Sequence, residues 1–128
     1  MGVRVYWHDD QKTILHQVYE GQCVASDFHK CVNDSYPLVS SVTHTVDIIV
    51  DMTQARFVGA SFLSARNNSE TKAQDNQRMA ILVGAPGFIK ALVNIGKTIA
   101  PKTTKNIRFA KTVEEAHSLI AKASEASV

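Results

Sequence analysis

Val46-Asp47-Ile48-Ile49-Val50-Asp51-Met52-Thr53 is the stretch on which the reading of the fold turns. Val46 to Val50 is short, mostly apolar and β-branched, the pattern of a strand buried on both faces of a sheet rather than one with a wet side. Asp51-Met52-Thr53 is then expected to leave its C-terminal end. Arg78 to Gly84 (RMAILVG) repeats the buried-strand pattern, and Ile107-Arg108-Phe109-Ala110 gives a shorter third example. Helical segments alternate with these runs. Gly59 to Ala73 has helical composition, with Phe62, Leu63 and Ala65 near its start. Pro86 suits the first turn of a helix striped by Phe88, Ile89, Leu92, Val93 and Ile95, and Pro101 limits how far that helix can run. Thr112-Val113-Glu114-Glu115 is a capping box: Thr112 can accept a backbone N–H three residues on while Glu115 reaches back. Val113, Ala116, Leu119, Ile120 and Ala123 carry that last stripe onward.

Upstream of Val46 the pattern changes. In Val3-Arg4-Val5-Tyr6-Trp7-His8, Val3, Val5 and Trp7 share one face at period two, and Lys12 to Tyr19 is again β-branched and alternating. Asp9-Asp10-Gln11 between them is a polar turn, so the two runs are expected to pair as an antiparallel hairpin closed by Gly21. Ser26 reads as the N-cap of a helix carrying Phe28, Cys31, Val32 and Val39, which Pro37 must end or kink. The expected architecture is α/β: one domain over residues 1–128, an N-terminal β-hairpin, then alternating helices and strands. Its central sheet is mostly parallel and flanked by about four helices.

Composition agrees with one globular domain. The 128 residues are 45% hydrophobic and 20% charged, with no biased tract or repeat, enough to bury a single core. The net charge is only +2, so nucleic acid is not expected as a partner. No run approaches the roughly 20 apolar residues of a membrane span, and Met1 to Val18 lacks the apolar centre of a signal peptide. A cytoplasmic protein without membrane contact is expected. Cys23 and Cys31 match neither a close metal pair nor a secreted disulfide framework, and read as semi-buried reduced thiols.

The element order over nearly the whole chain resembles the STAS domain, named for sulfate transporters and anti-sigma factor antagonists, and the related fold of the sporulation anti-anti-sigma factor. The local match is VDIIVDMTQARFVGASFL, Val46 to Leu63. In that family a strand ends in an acidic residue followed by a hydroxyl residue, and an Asp-Ser-Ser-Gly-type segment opens the next helix. Asp51 and Thr53 fall on the strand-end positions, Phe57 on the aromatic position, and Gly59, Ala60 and Ser61 on the Asp, phosphorylated Ser and following positions. The resemblance implies a non-enzymatic regulatory domain that docks on a protein partner, an anti-sigma factor or kinase-like regulator, and is released by phosphorylation of this loop. Ala60 has no hydroxyl and Gly59 removes the acidic neighbour, so the acceptor role does not carry over to Ala60. Ser61 and Thr53 are the remaining candidate acceptors, although Ser61 also suits a first helical turn and Thr53 the closing of a turn. Related branches of the fold imply the alternative, a small-molecule or lipid-binding domain with a pocket between the Asp51–Ser61 loop and the Gly84–Gly87 turn. An apolar cavity under Phe57, Phe62 and Phe88 would favour it.

The remaining constellations are weaker. Gly84-Ala85-Pro86-Gly87 follows a strand and opens a helix, where Gly84 and Gly87 could let backbone N–H groups hold an anion, yet it has neither a Walker nor a Rossmann pattern. Its ordinary reading is a tight strand-to-helix turn. His8, His16, His29, His44 and His117 are expected on different elements without metal-ligand spacing, so no metal and no cofactor are expected. His16 alternates with Ile14 and Val18 and reads as a packed or edge histidine, and His44 as loop surface. Asp47 and Asp51 share a strand face about 13 Å apart, too far for a glycosidase pair. No nucleophile–base set is assignable, so no catalytic residue is expected. Lys90, Lys97, Lys102, Lys105, Arg108 and Lys111 make a basic stretch, either a solvated face or a docking site for an acidic partner. A homodimer through the hairpin edge is a further expectation.

Overall fold

The computed structural model of the chain describes residues 2–57, 76–99 and 106–126. Five strands form one sheet in the order β1-β2-β3-β4-β5: β1 (Gly2–Trp7), β2 (Ile14–Cys23), β3 (Val46–Phe57), β4 (Gln77–Val83) and β5 (Ile107–Ala110). β1 and β2 are antiparallel, whereas β2, β3, β4 and β5 are mutually parallel. The helices described are α1 (Ala25–Ser40), α2 (Gly87–Ile99) and α3 (Val113–Ala126). This is the expected hairpin and α/β alternation. The helix expected over Gly59 to Ala73 lies outside the described residues, as do Lys102 and Lys105.

Strand alternation divides the core in two. Leu15 and Tyr19 of β2, Ile48, Val50 and Met52 of β3, and Leu82 of β4 face one way, under Cys31 and Val39 of α1 and Ile89 and Val93 of α2. Ile49, Met79, Ile81, Val83 and Ala110 face the other way, under Ala116 and Ile120 of α3. Leu15 and Ile49, one in each core, are wholly buried and each contributes about 1.5–3 kcal/mol of transfer free energy. The apolar run of β3 is explained by these two covers, since Val46 to Val50 are all buried.

Several local expectations are corrected. Gly21 does not close the hairpin: at φ +69° it stays within β2, which runs on to Cys23 and pairs Gly21, Gln22 and Cys23 with Ala55, Arg56 and Phe57. That pairing carries β3 past Val50 to Phe57, so Asp51, Met52 and Thr53 belong to the strand. Ser26 is not the N-cap of α1. Val24 occupies that position, and its N–H is accepted by the Asp27 carboxylate at 2.8 Å. Of the two outcomes expected at Pro37, an end or a kink, the end does not occur, because α1 continues to Ser40. Pro37 and Asn33, whose carbonyl loses its helical donor there, are both exposed, so water can satisfy the orphaned oxygen. The capping box of α3 forms with one change of partner: Glu115 N–H donates to Thr112 Oγ1 at 3.1 Å, while Glu115 reaches back to the Lys111 N–H at 3.3 Å. Phe88 is not part of the buried stripe of α2 and stands 41% exposed.

Candidate functional site

Both aspartates of VDIIVD sit at register shifts in the sheet. Between the pairs Val18↔Asp51 and Glu20↔Gln54, the single residue Tyr19 opposes Met52 and Thr53, a β-bulge in β3. Asp51 Oδ1 accepts both the Thr53 N–H, at 2.9 Å, and the Thr53 hydroxyl, at 2.6 Å. The bulged N–H is thereby satisfied within the strand. The extra residue also changes the phase of β3, so that Ala55 and Phe57 pack with the Met52 core while Thr53 stays exposed. Between Val46↔Gln77 and Ile48↔Ala80, Asp47 opposes Arg78 and Met79 in the same manner. Its carboxylate accepts the Met79 N–H at 3.2 Å and pairs with Arg78 through Nε at 3.0 Å and Nη2 at 2.7 Å.

The strand-end bulge meets the β4–α2 turn. Gly84 has φ +66°, and a β-carbon there would lie 2.8 Å from Thr53 Cγ2 and 3.3 Å from Thr53 Cα. The Asp51–Thr53 segment and the Gly84–Gly87 turn therefore adjoin, as expected for the carboxyl ends of neighbouring parallel strands. Pro86 O accepts the N–H groups of Ile89 and Lys90 at 3.0 and 3.1 Å, fixing the start of α2. The exposed Phe88 ring stands edge-on to Phe57 at 6.2 Å between centroids, and Phe57 in turn lies 5.6 Å from Tyr19. Thr53, Arg56, Gly84, Gly87, Phe88 and Lys90 are all solvent-exposed. Gly59, Ala60 and Ser61 lie outside the described residues. Neither Phe57 nor Phe88 lines the apolar cavity of about 150 Å³ found among the described residues, and Phe62 lies outside them; that cavity sits between the middle of the sheet and the two helices on this face, lined by Gln17, Tyr19, Phe28, Val50, Ala80 and Ile107 with Met52, Leu82, Ile89 and Val93.

On the face that carries α3, three histidines expected on different elements without metal-ligand spacing converge. His8 follows β1, His16 lies in β2 and His117 in α3, and their ligand nitrogens all fall within 4.8 Å of one another. His8 Nδ1 is 3.2 Å from His16 Nε2. The His16 ring is stacked on Tyr6, 5.2 Å between centroids with 13° between planes. Burial pushes His16 below its ordinary imidazole value, with His117 and His8 acting in the same direction and Asp51 opposing. Burial lowers His117 as well, followed by the effect of His8, against Glu114 and Asp9. His44 instead bonds the Lys12 carbonyl at 2.8 Å from an exposed position. Two of the cluster's three members follow from the hairpin: a turn over Asp9–Thr13 sets Tyr6 opposite His16, which leaves His8 diagonal to His16 on the same face. The approach of His117 is a long-range packing result with no local sequence signal.

No protein-family model matches the sequence, and no curated protein does. Among solved structures, the chain is similar to an uncharacterized protein from the DUF3478 family with a SpoIIAA-like fold, from Shewanella loihica PV-4. The TM-score is 0.65 and the identity 10%, over 92% of this chain and 93% of that one. The fold is thus SpoIIAA-like, which is the STAS-like architecture. No helix among the described residues is long and apolar enough to cross a membrane.

Proposed function

We propose that this chain is a non-enzymatic regulatory module that docks on a protein partner through the carboxyl ends of β3 and β4. The observation that carries the reading is the exposed Phe88 ring, edge-on to Phe57, beside a β-bulge that holds the Thr53 hydroxyl in place. Aromatic residues including Phe are enriched in the apolar centres of protein interfaces, with polar groups around them, and Phe88 beside Thr53 at the strand ends offers both. Arg56 and Lys90, both exposed at this edge, suit a partner with acidic residues around an apolar centre. A regulator of the anti-sigma factor or kinase type meets that description.

Charge at Thr53 is the natural control. A phosphate adds about −1.5 to −2 charges, and at Thr53 it would stand against the Asp51 carboxylate that now accepts the hydroxyl at 2.6 Å. The bulge would open and an acidic partner would be repelled. Ser61 is the second candidate acceptor. The test is capture from the source organism's soluble extract by tag-free, immobilised protein, with mass analysis of bound partners and of phosphate on Thr53 and Ser61. The reading requires one partner that Phe88→Ser and Thr53→Asp both lose and Thr53→Ser, which keeps the hydroxyl, retains. Equal capture by all four proteins would sink it.

The apolar cavity lined by Tyr19, Phe28, Val50 and Ile107 favours a second reading, a small apolar ligand held between the middle of the sheet and the helices that cover it. Mass analysis of the purified protein under native conditions separates the two, because a co-purifying small molecule with no protein partner supports only the second.

A further inference from the structure

The convergence of His8, His16 and His117 has no explanation in the docking edge. The three side chains come from the end of β1, from β2 and from α3, and each offers one nitrogen to a common centre. We propose that they form a binding site for one divalent transition-metal ion of the kind that prefers imidazole, zinc being the representative, with the fourth position open to solvent.

A four-coordinate zinc ion with Zn–N bonds of about 2.0–2.1 Å separates its ligand nitrogens by roughly 3.3 Å along each edge of the tetrahedron. The His8 Nδ1–His16 Nε2 separation of 3.2 Å already has that length. The other nitrogens lie no more than 4.8 Å apart, so the remaining edges close by small side-chain rotations. The burial of the three rings is graded in the way such a site needs. His16 is buried and fixed by its stack on Tyr6, His117 is half-buried, and His8 is exposed. One ligand is rigid and two can adjust around an entering ion.

The surroundings say what the open position would face. His8 and His117 line an open groove of about 660 Å³ whose other walls include Asp9, Gln11, Thr13, His44 and Arg78. A water molecule or an anionic ligand can enter along it. The ligand set consists of three imidazoles, which suits zinc, copper, nickel and cobalt, whereas magnesium and calcium take oxygen ligands. The bound ion would also fasten the β1–β2 hairpin to α3 and stabilise the folded chain by linkage.

The test uses tag-free full-length protein freed of metal with a chelator and titrated at neutral pH with Zn²⁺ against a chromophoric competitor. The expected result is one ion per chain and a raised Tm, with no response to Mg²⁺ or Ca²⁺. His8→Ala and His117→Ala, at exposed and half-buried positions, should each weaken uptake by about 100-fold or more, since loss of an outer-shell partner alone costs about 10–100-fold. His29→Ala, which lies outside the groove, should leave uptake unchanged. Circular dichroism on each variant establishes that folding is retained. Lack of stoichiometric uptake by the wild-type protein, or uptake that survives either His8→Ala or His117→Ala in a folded variant, would overturn the proposal.

Discussion

Gly84 lies so close to Thr53 that a β-carbon on it would come within 2.8 Å of the threonine methyl, and its φ of +66° is one that side chains resist. The β4–α2 turn is therefore shaped around the β3 bulge. Gly84→Ala should destabilise the protein by about 2 kcal/mol, through the left-handed backbone and the contact together. Thr53→Ser removes the methyl and keeps the hydroxyl for Asp51, so in the double variant part of that loss should return. Urea unfolding of the four proteins in a double-mutant cycle reads the coupling. Additivity of the two substitutions would show that the contact carries no energy.

Asp47 and Arg78 form the second test. Asp47 is 3% exposed and its carboxylate holds both the guanidinium and the bulged Met79 N–H. Removing one member of such a pair strands the other. Asp47→Ala and Arg78→Ala should each cost about 2–4 kcal/mol, and the double variant less than the sum of the two. Chemical denaturation at neutral pH measures all three.

Phe88 should separate docking from folding. Its ring is exposed and, among the described residues, its ring contact is one edge-on aromatic pair, so Phe88→Ser should cost no more than about 1 kcal/mol while abolishing partner capture. A large loss of stability would mean that the ring is a structural element of α2 rather than a docking group.

Cys23 and Cys31 are free thiols, 0% and 2% exposed, and burial pushes both above the ordinary thiol value. The thiolate is the reactive form. Neither cysteine should react with an aromatic disulfide reagent at pH 8 in the native protein within minutes, and both should react once urea unfolds it. Fast labelling of one thiol in native conditions would show that its part of the core opens.

The fold was legible where burial decides it and less so where pairing does. Ile48 to Val50 and Met79 to Val83 announce themselves because a sheet covered on both faces favours near-continuous apolar runs. The β3 extension to Phe57 does not, because it depends on β2 continuing through Gly21 to Cys23, and a glycine there reads as a strand end. Nor do the two bulges: Asp47 and Asp51 look like polar interruptions of a strand, and only the register shows each accepting a displaced N–H. The adjacency of the Asp51–Thr53 segment and the Gly84 turn followed from parallel neighbours in an α/β sheet. The meeting of His117 with His8 and His16 could not follow from any local pattern, since it joins α3 to the hairpin through tertiary packing.

Docking at the carboxyl ends of β3 and β4 is read out by backbone hydrogen exchange of the chain alone and with its captured partner. Protection on binding is predicted over Asp51–Phe57 and Gly84–Lys90, reduced in Thr53→Asp. Protection confined to the β1–β2 hairpin or to α3, with the β3 and β4 ends unchanged, would contradict it.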